Sequence, residues 1–146
     1  MKLSFISFLL LYEFIFKEYK PFFYQMSPFS DVNNIFYPCL LQELPLFIES
    51  LVEQMSVNLN RIHSLGINKV AVGLLQPIGC LPAVNIISFR TSCIGLLNLV
   101  SKDHNKKLLE AIQKLNNQAG KSVFVTLDLY STFLSKIEEM QKEHDG

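Results

Sequence analysis

Nucleophilic catalysis near neutral pH needs a serine or cysteine beside a base, and the bases on offer in this sequence are three histidines, His63, His104 and His144. His104 falls at helical spacing between Val100 and Leu108, on an apolar stripe, and is expected to be a core histidine hydrogen-bonded to backbone. His63 sits near the end of a helical segment, where the dipole favours a protonated imidazole and capping is the expected role. His144 belongs to the charged tail KEHDG. Ser88 and Ser92 lie in a loop between two cysteines, and Ser131 has no histidine at a spacing that would hold a base beside it. Metal chemistry finds no C-x-x-C or H-x-x-x-H spacing, so neither a metal nor a cofactor is expected. The stretch AGKS at 119–122 follows Leu115 where a phosphate-binding loop needs glycine, and it closes a helix instead of opening one. Thirteen basic residues balance thirteen acidic ones, so no net field draws the chain to nucleic acid or to acidic membranes.

One stretch is heavily punctuated. In LLQPIGCLP (74–82) an apolar run meets two prolines, a glycine and a cysteine. Gln76-Pro77 takes the chain out of a strand, Gly79 permits a backbone turn closed to larger residues, and Pro82 limits the next step. Gln76, Pro77 and Gly79 are therefore expected to shape one wall of a cleft, with Cys80 inert as a nucleophile for want of an adjacent base.

The elements that position this loop follow from periodicity. PLFIESLVEQMSVNLNRIHSLG spaces Ile48, Leu51, Val52, Met55, Leu59 and Ile62 as a helix, with Pro45 in the first turn and Gly66 after the last. KVAVGLL (69–75) is a strand expected to be buried on both faces, and a second helix carries Leu97, Val100, His104, Leu108, Ile112 and Leu115 to a stop at Gly120. KSVFVTLDLY forms a second buried strand ending near Asp128, which is expected to cap or anchor a loop, and a helical tail begins at about Thr132. This order predicts an α/β fold with parallel strands, in which ligands bind outside the carboxyl ends of the strands. The length allows one domain: residues 43–146 carry the regular pattern and 1–42 form a divergent apolar segment. In that segment a lysine precedes the apolar run Leu3–Tyr12 as in a secretory signal, but no A-x-A-like site follows. The run is also shorter than the about 20 residues that span a bilayer, so a buried or poorly structured segment is expected in place of a cleaved signal.

INKVAVGLLQPIGCLP, then Cys93, Asn98, HNKKL (104–108) and VFVTLDLYSTF (123–133), resembles plant GDSL-type esterases and lipases of the SGNH hydrolase superfamily. The resemblance covers roughly residues 43–135. It implies a partial flavodoxin-like, three-layer α/β/α sandwich and, for a complete member, hydrolysis of carboxylic or lipid esters by Ser, His and Asp with a Ser, Gly, Asn oxyanion site. The family's Gly-Asp-Ser and Asp-x-x-His do not occur in these 146 residues, so no catalytic residue is assigned and the chain alone is expected to be inactive. His144 precedes Asp145, the reverse of the family's order. SDVNN (30–34) stands where the oxyanion asparagine belongs, which makes Asn34 or Asn33 a candidate relic of that donor, against an ordinary turn cluster. Family membership also implies secretion, and with it a disulfide between Cys80 and Cys93, closing about 14 residues for roughly 3 kcal/mol. The alternative is a noncatalytic remnant or interaction protein with an SGNH-type half fold. Either way, self-association through an uncovered strand edge is expected. A flavodoxin-like cofactor binder would need a hydroxyl- and glycine-rich phosphate loop, which the sequence lacks.

Overall fold

The structure is a computed structural model that describes residues 36–82 and 93–144, and the side chains of 44–82 and 93–142. Helix α1 spans Phe36–Ser64, so Pro45 lies inside it and not in its first turn. The apolar spacing through Ile48, Val52 and Leu59 continues upstream through Leu44, and the helix follows that stripe past the proline, whose missing N–H and ring cost about 3 kcal/mol in a helix interior. Gly66 ends the helix at φ 87°, donating its N–H to the His63 carbonyl at 2.9 Å.

Strand β1 (Val70–Gly73) and strand β2 (Phe124–Leu127) pair in parallel, with Val70 opposite Phe124 and Gly73 opposite Leu127. The crossover between them holds helix α2 (Gly95–Ala119), which stops at Gly120 in the left-handed region, φ 65°. Helix α3 (Leu129–His144) follows β2 directly. The order is that of a partial flavodoxin-like α/β fold with parallel strands, as the resemblance implies. Among the described residues no helix is long and apolar enough to cross a membrane.

The core lies between the two long helices and one face of the sheet. Ile48, Val52 and Leu59 of α1 meet Val70 and Val72 of β1, Leu108, Ile112 and Leu115 of α2, and Phe124 of β2. Burying each such side chain contributes about 1.5–3 kcal/mol. The strands are not buried on both faces, contrary to expectation. In β1, Val70 and Val72 face the helices while Ala71 and Gly73 are half-buried; in β2 only Phe124 is buried, with Val125 40% and Leu127 38% exposed. The cause is that α1 and α2 both pack on the face carrying Val72 and Phe124, and on the other face the described contact is that of Leu129 with Gly73.

Candidate functional site

Beyond Gly73 the chain stays beside β2 for one more bond, from the Leu74 N–H to the Leu127 carbonyl at 2.9 Å, and then turns under the first half of α2. Asn98, Ser101 and Asn105 recur three and four residues apart, so a helix sets them on one face. That face meets the loop backbone. Asn105 accepts from the Leu75 N–H and donates to the Leu75 carbonyl, both at 2.7 Å; Ser101 accepts from the Ile78 N–H at 3.2 Å; Asn98 accepts from the Gly79 N–H at 2.9 Å. Ser101 and Asn105 are buried, and a buried polar group without a partner costs about 1–3 kcal/mol, so the loop amides and these side chains require each other. None of the three was a site candidate on sequence grounds. Their signal was present as a polar row alongside the apolar stripe, but a row of Asn and Ser on a helix is ordinarily solvated.

The loop candidates fall on this clamp. Gln76 is half-buried, and Pro77 is buried with its carbonyl accepting from the Cys80 N–H at 2.9 Å, which closes a single 3₁₀ turn over Ile78–Cys80. Gly79 is required for a reason other than the expected one. It is not among the glycines with positive φ; instead a Cβ there would overlap the Ile94 carbonyl oxygen and lie 2.9 Å from Asn98 Oδ1. The Ile94 N–H donates back to the Gly79 carbonyl at 2.8 Å, so the two backbones touch. Beside this contact Cys80 and Cys93, thirteen residues apart, form a disulfide, and Asn98 Nδ2 donates to Cys80 Sγ at 3.3 Å. Asn33 and Asn34 lie outside the described residues.

His104 is 2% exposed. Its Nδ1 lies 3.3 Å from Asn105 Oδ1, an acceptor, so Nδ1 carries the proton, and the bond goes to a side chain and not to backbone as expected. Nε2 is then a bare acceptor, buried without a partner among the described residues. Burial lowers the pKa below the ordinary imidazole value, against the raising effects of the Asn105 bond and the Asp103 charge. His63 donates from Nδ1 to the Ile67 carbonyl at 3.0 Å, which ties the end of α1 to the turn, and sets its ring edge-on to Phe124. Neither histidine is bonded to a serine or cysteine, so among the described residues no nucleophile is paired with a base. The side chain of His144 is outside the described residues.

Asp128 stands at the carboxyl end of β2 and caps α3. Its Oδ1 accepts from the Ser131 N–H at 3.0 Å, and this bond holds the carboxyl pKa below the ordinary value. An open groove of about 940 Å³ runs from Leu74 and Asn105 past Phe124 and Thr126 to Asp128 and Tyr130. Lys102 stands 5.8 Å from the centre of the Tyr130 ring at the same end.

Residues 30–146 match the family model of the GDSL-like lipase/acylhydrolases. GDSL esterase/lipase At5g03610 of Arabidopsis thaliana is 44% identical over 93 residues, 64% of this chain and 26% of that protein. GDSL esterase/lipase At3g09930 is 42% identical over 95 residues, 65% and 27%, and GDSL esterase/lipase APG is 30% identical over 94 residues, 63% and 27%. The chain spans about a quarter of the length of these relatives. No solved structure matches. The family match extends over both strands, the clamped loop and all three helices, so this chain belongs to the GDSL-like lipase/acylhydrolase family.

Proposed function

We propose that this chain forms the part of a carboxylic ester hydrolase that walls one side of the strand-end cleft, with Gln76, Pro77 and Gly79 as the wall and the polar face of α2 holding it in place. The observation that carries this is the clamp itself: three helix side chains hold the backbone amides of Leu75, Ile78 and Gly79 in a loop that leaves a parallel strand, within a GDSL-type match. Acyl transfer also needs a nucleophile, its base and oxyanion donors, and neither Gly-Asp-Ser nor Asp-x-x-His occurs in these residues. Loss of one triad member leaves only about 10³–10⁴-fold catalysis over water, and that remainder rests on an intact oxyanion site. The chain alone is therefore expected to leave a p-nitrophenyl ester of a short acid unhydrolysed and to take no fluorophosphonate label.

The positive test is a chimera in which residues 43–135 replace the matching segment of an Arabidopsis GDSL esterase/lipase. Ester hydrolysis retained in the chimera supports the wall. A folded chimera that binds fluorophosphonate but does not turn over esters would sink it. Lipid esters as substrates, secretion, and assignment of 1–42 and 43–146 to separate roles belong to the same proposal, as does Asn33 or Asn34 as a former oxyanion donor. In secreted material, non-reducing peptide mapping is expected to recover Cys80 joined to Cys93, and alkylation of both thiols would refute the pairing.

A further inference from the structure

The two sulfurs of the Cys80–Cys93 pair sit in different surroundings. Cys80 is 8% exposed, whereas Cys93, one residue before the N-cap Ile94 of α2, is half-buried. Cys80 Sγ also has a hydrogen-bond donor, Asn98 Nδ2 at 3.3 Å. That amide is fixed in its orientation. Its oxygen accepts from the Gly79 N–H at 2.9 Å, and a flipped amide would set N–H against N–H there, so Nδ2 faces the sulfur whether the pair is closed or open.

Thiol–disulfide exchange favours attack on the more accessible sulfur and departure of the sulfur whose thiolate is better stabilised. Both criteria select the same direction here. A thiolate at Cys80 keeps the Asn98 bond, which charge strengthens, and follows Gly79 at the start of α2, where the helix dipole favours an anion. Burial of Cys80 works against the charge, so the Asn98 donor is the group on which this direction depends.

We propose that the Cys80–Cys93 pair is a thiol-exchange site: a small-molecule thiolate attacks Cys93 Sγ, the Cys80–Cys93 bond breaks, and its electron pair goes to Cys80 Sγ, which Asn98 holds. One S–S bond replaces another, so this step carries no net oxidation. The attacking molecule stays on Cys93 as a mixed disulfide, and Cys80 closes the pair again by attacking that Cys93 sulfur and expelling the small thiolate. The wall stays in place throughout, because Asn98, Ser101 and Asn105 hold Gly79, Ile78 and Leu75 without help from either sulfur. None of this requires ester hydrolysis; it requires the pairing and the clamp.

The test exposes the full chain to glutathione, quenches with N-ethylmaleimide and maps tryptic peptides without reduction. Cleavage after Arg90 separates Cys80 from Cys93, and cleavage after Arg61 separates both from Cys39. The expected first product carries glutathione on Cys93 and maleimide on Cys80. Glutathione on Cys80, or on both alike, overturns the proposal, as do free thiols at Cys80 and Cys93 before glutathione is added. Asn98→Asp keeps an oxygen for the Gly79 N–H and puts a carboxylate oxygen where the donor stood, so this product should form about tenfold more slowly. An unchanged rate in a folded variant counts against the site; if the variant loses its cooperative melt, the wild-type product decides. In the glutathione-bearing chain the Ile78 and Gly79 amides should stay protected from exchange, and their loss of protection would show that the disulfide, and not the clamp, holds the wall.

Discussion

The carboxyl ends of β1 and β2 are neighbours in one parallel sheet, and each passes into a turn of helix. After β1, the amides of Leu75, Ile78 and Gly79 are held by Asn105, Ser101 and Asn98, with Pro77 and Gly79 buried and a disulfide alongside. After β2, the chain enters α3 through Asp128, an exposed residue whose carboxylate accepts from the Ser131 N–H of that helix's own first turn. The same topological position thus yields a cross-linked, desolvated loop in one case and a solvated cap in the other. The difference is the helix above it: α2 lies against the first turn and lends it a polar face, while the second is built from its own local residues. Being at a strand end is not enough to make a wall. The wall is made by what packs on it.

This contrast can be broken in graded steps. Gly79→Ala has the largest expected effect, because the new Cβ meets backbone and not the tip of a flexible side chain; a loss of about 3 kcal/mol or more should appear in urea unfolding. Gly120→Ala, where the strain is a left-handed φ with open space around it, should lose only about 1–2 kcal/mol. Equal effects would mean that the Gly79–Ile94 contact is not rigid. Asn105→Ala leaves the Leu75 N–H and carbonyl without their partner in a part-buried setting, for about 2–3 kcal/mol.

Protonation separates the two ends by pH. His104 has a folded pKa below its ordinary 6.5, so the stability gained by keeping it neutral is complete above that value and is lost as pH falls below it. Asp128 also has a lowered pKa, so its contribution stands above 3.8 and is lost only in more acidic solution. Melting temperature followed from about pH 7.5 to 5.5 should fall in the wild type and stay nearly level in His104→Leu. A wild type as flat as the variant would show that the ring is reached by solvent. The smallest effect is Asp128→Ala, about 1 kcal/mol for a lost cap, with no change in the His104 slope.

Much of the architecture was legible because it is local. The stripes through Ile48–Leu59 and Leu97–Leu115, the stops at Gly66 and Gly120, and the strand on either side of α2 all follow from spacing and from the two glycines that accept positive φ. The loop was recognisable from its prolines and glycine, and the family from the order of its motifs. The beginning of α1 was not, since a proline usually opens a helix and only continued apolar spacing carries this one past it. The site was the least legible part. The sequence by itself determined which segments are helix and strand, because periodicity and terminal residues act within a few positions of one another. Only the tertiary structure decided that Asn105 would meet Leu75 thirty residues away, that Gly79 would lie against Ile94, and that β2 would keep an exposed face, because those outcomes depend on which surfaces α1 and α2 cover when they pack on the sheet.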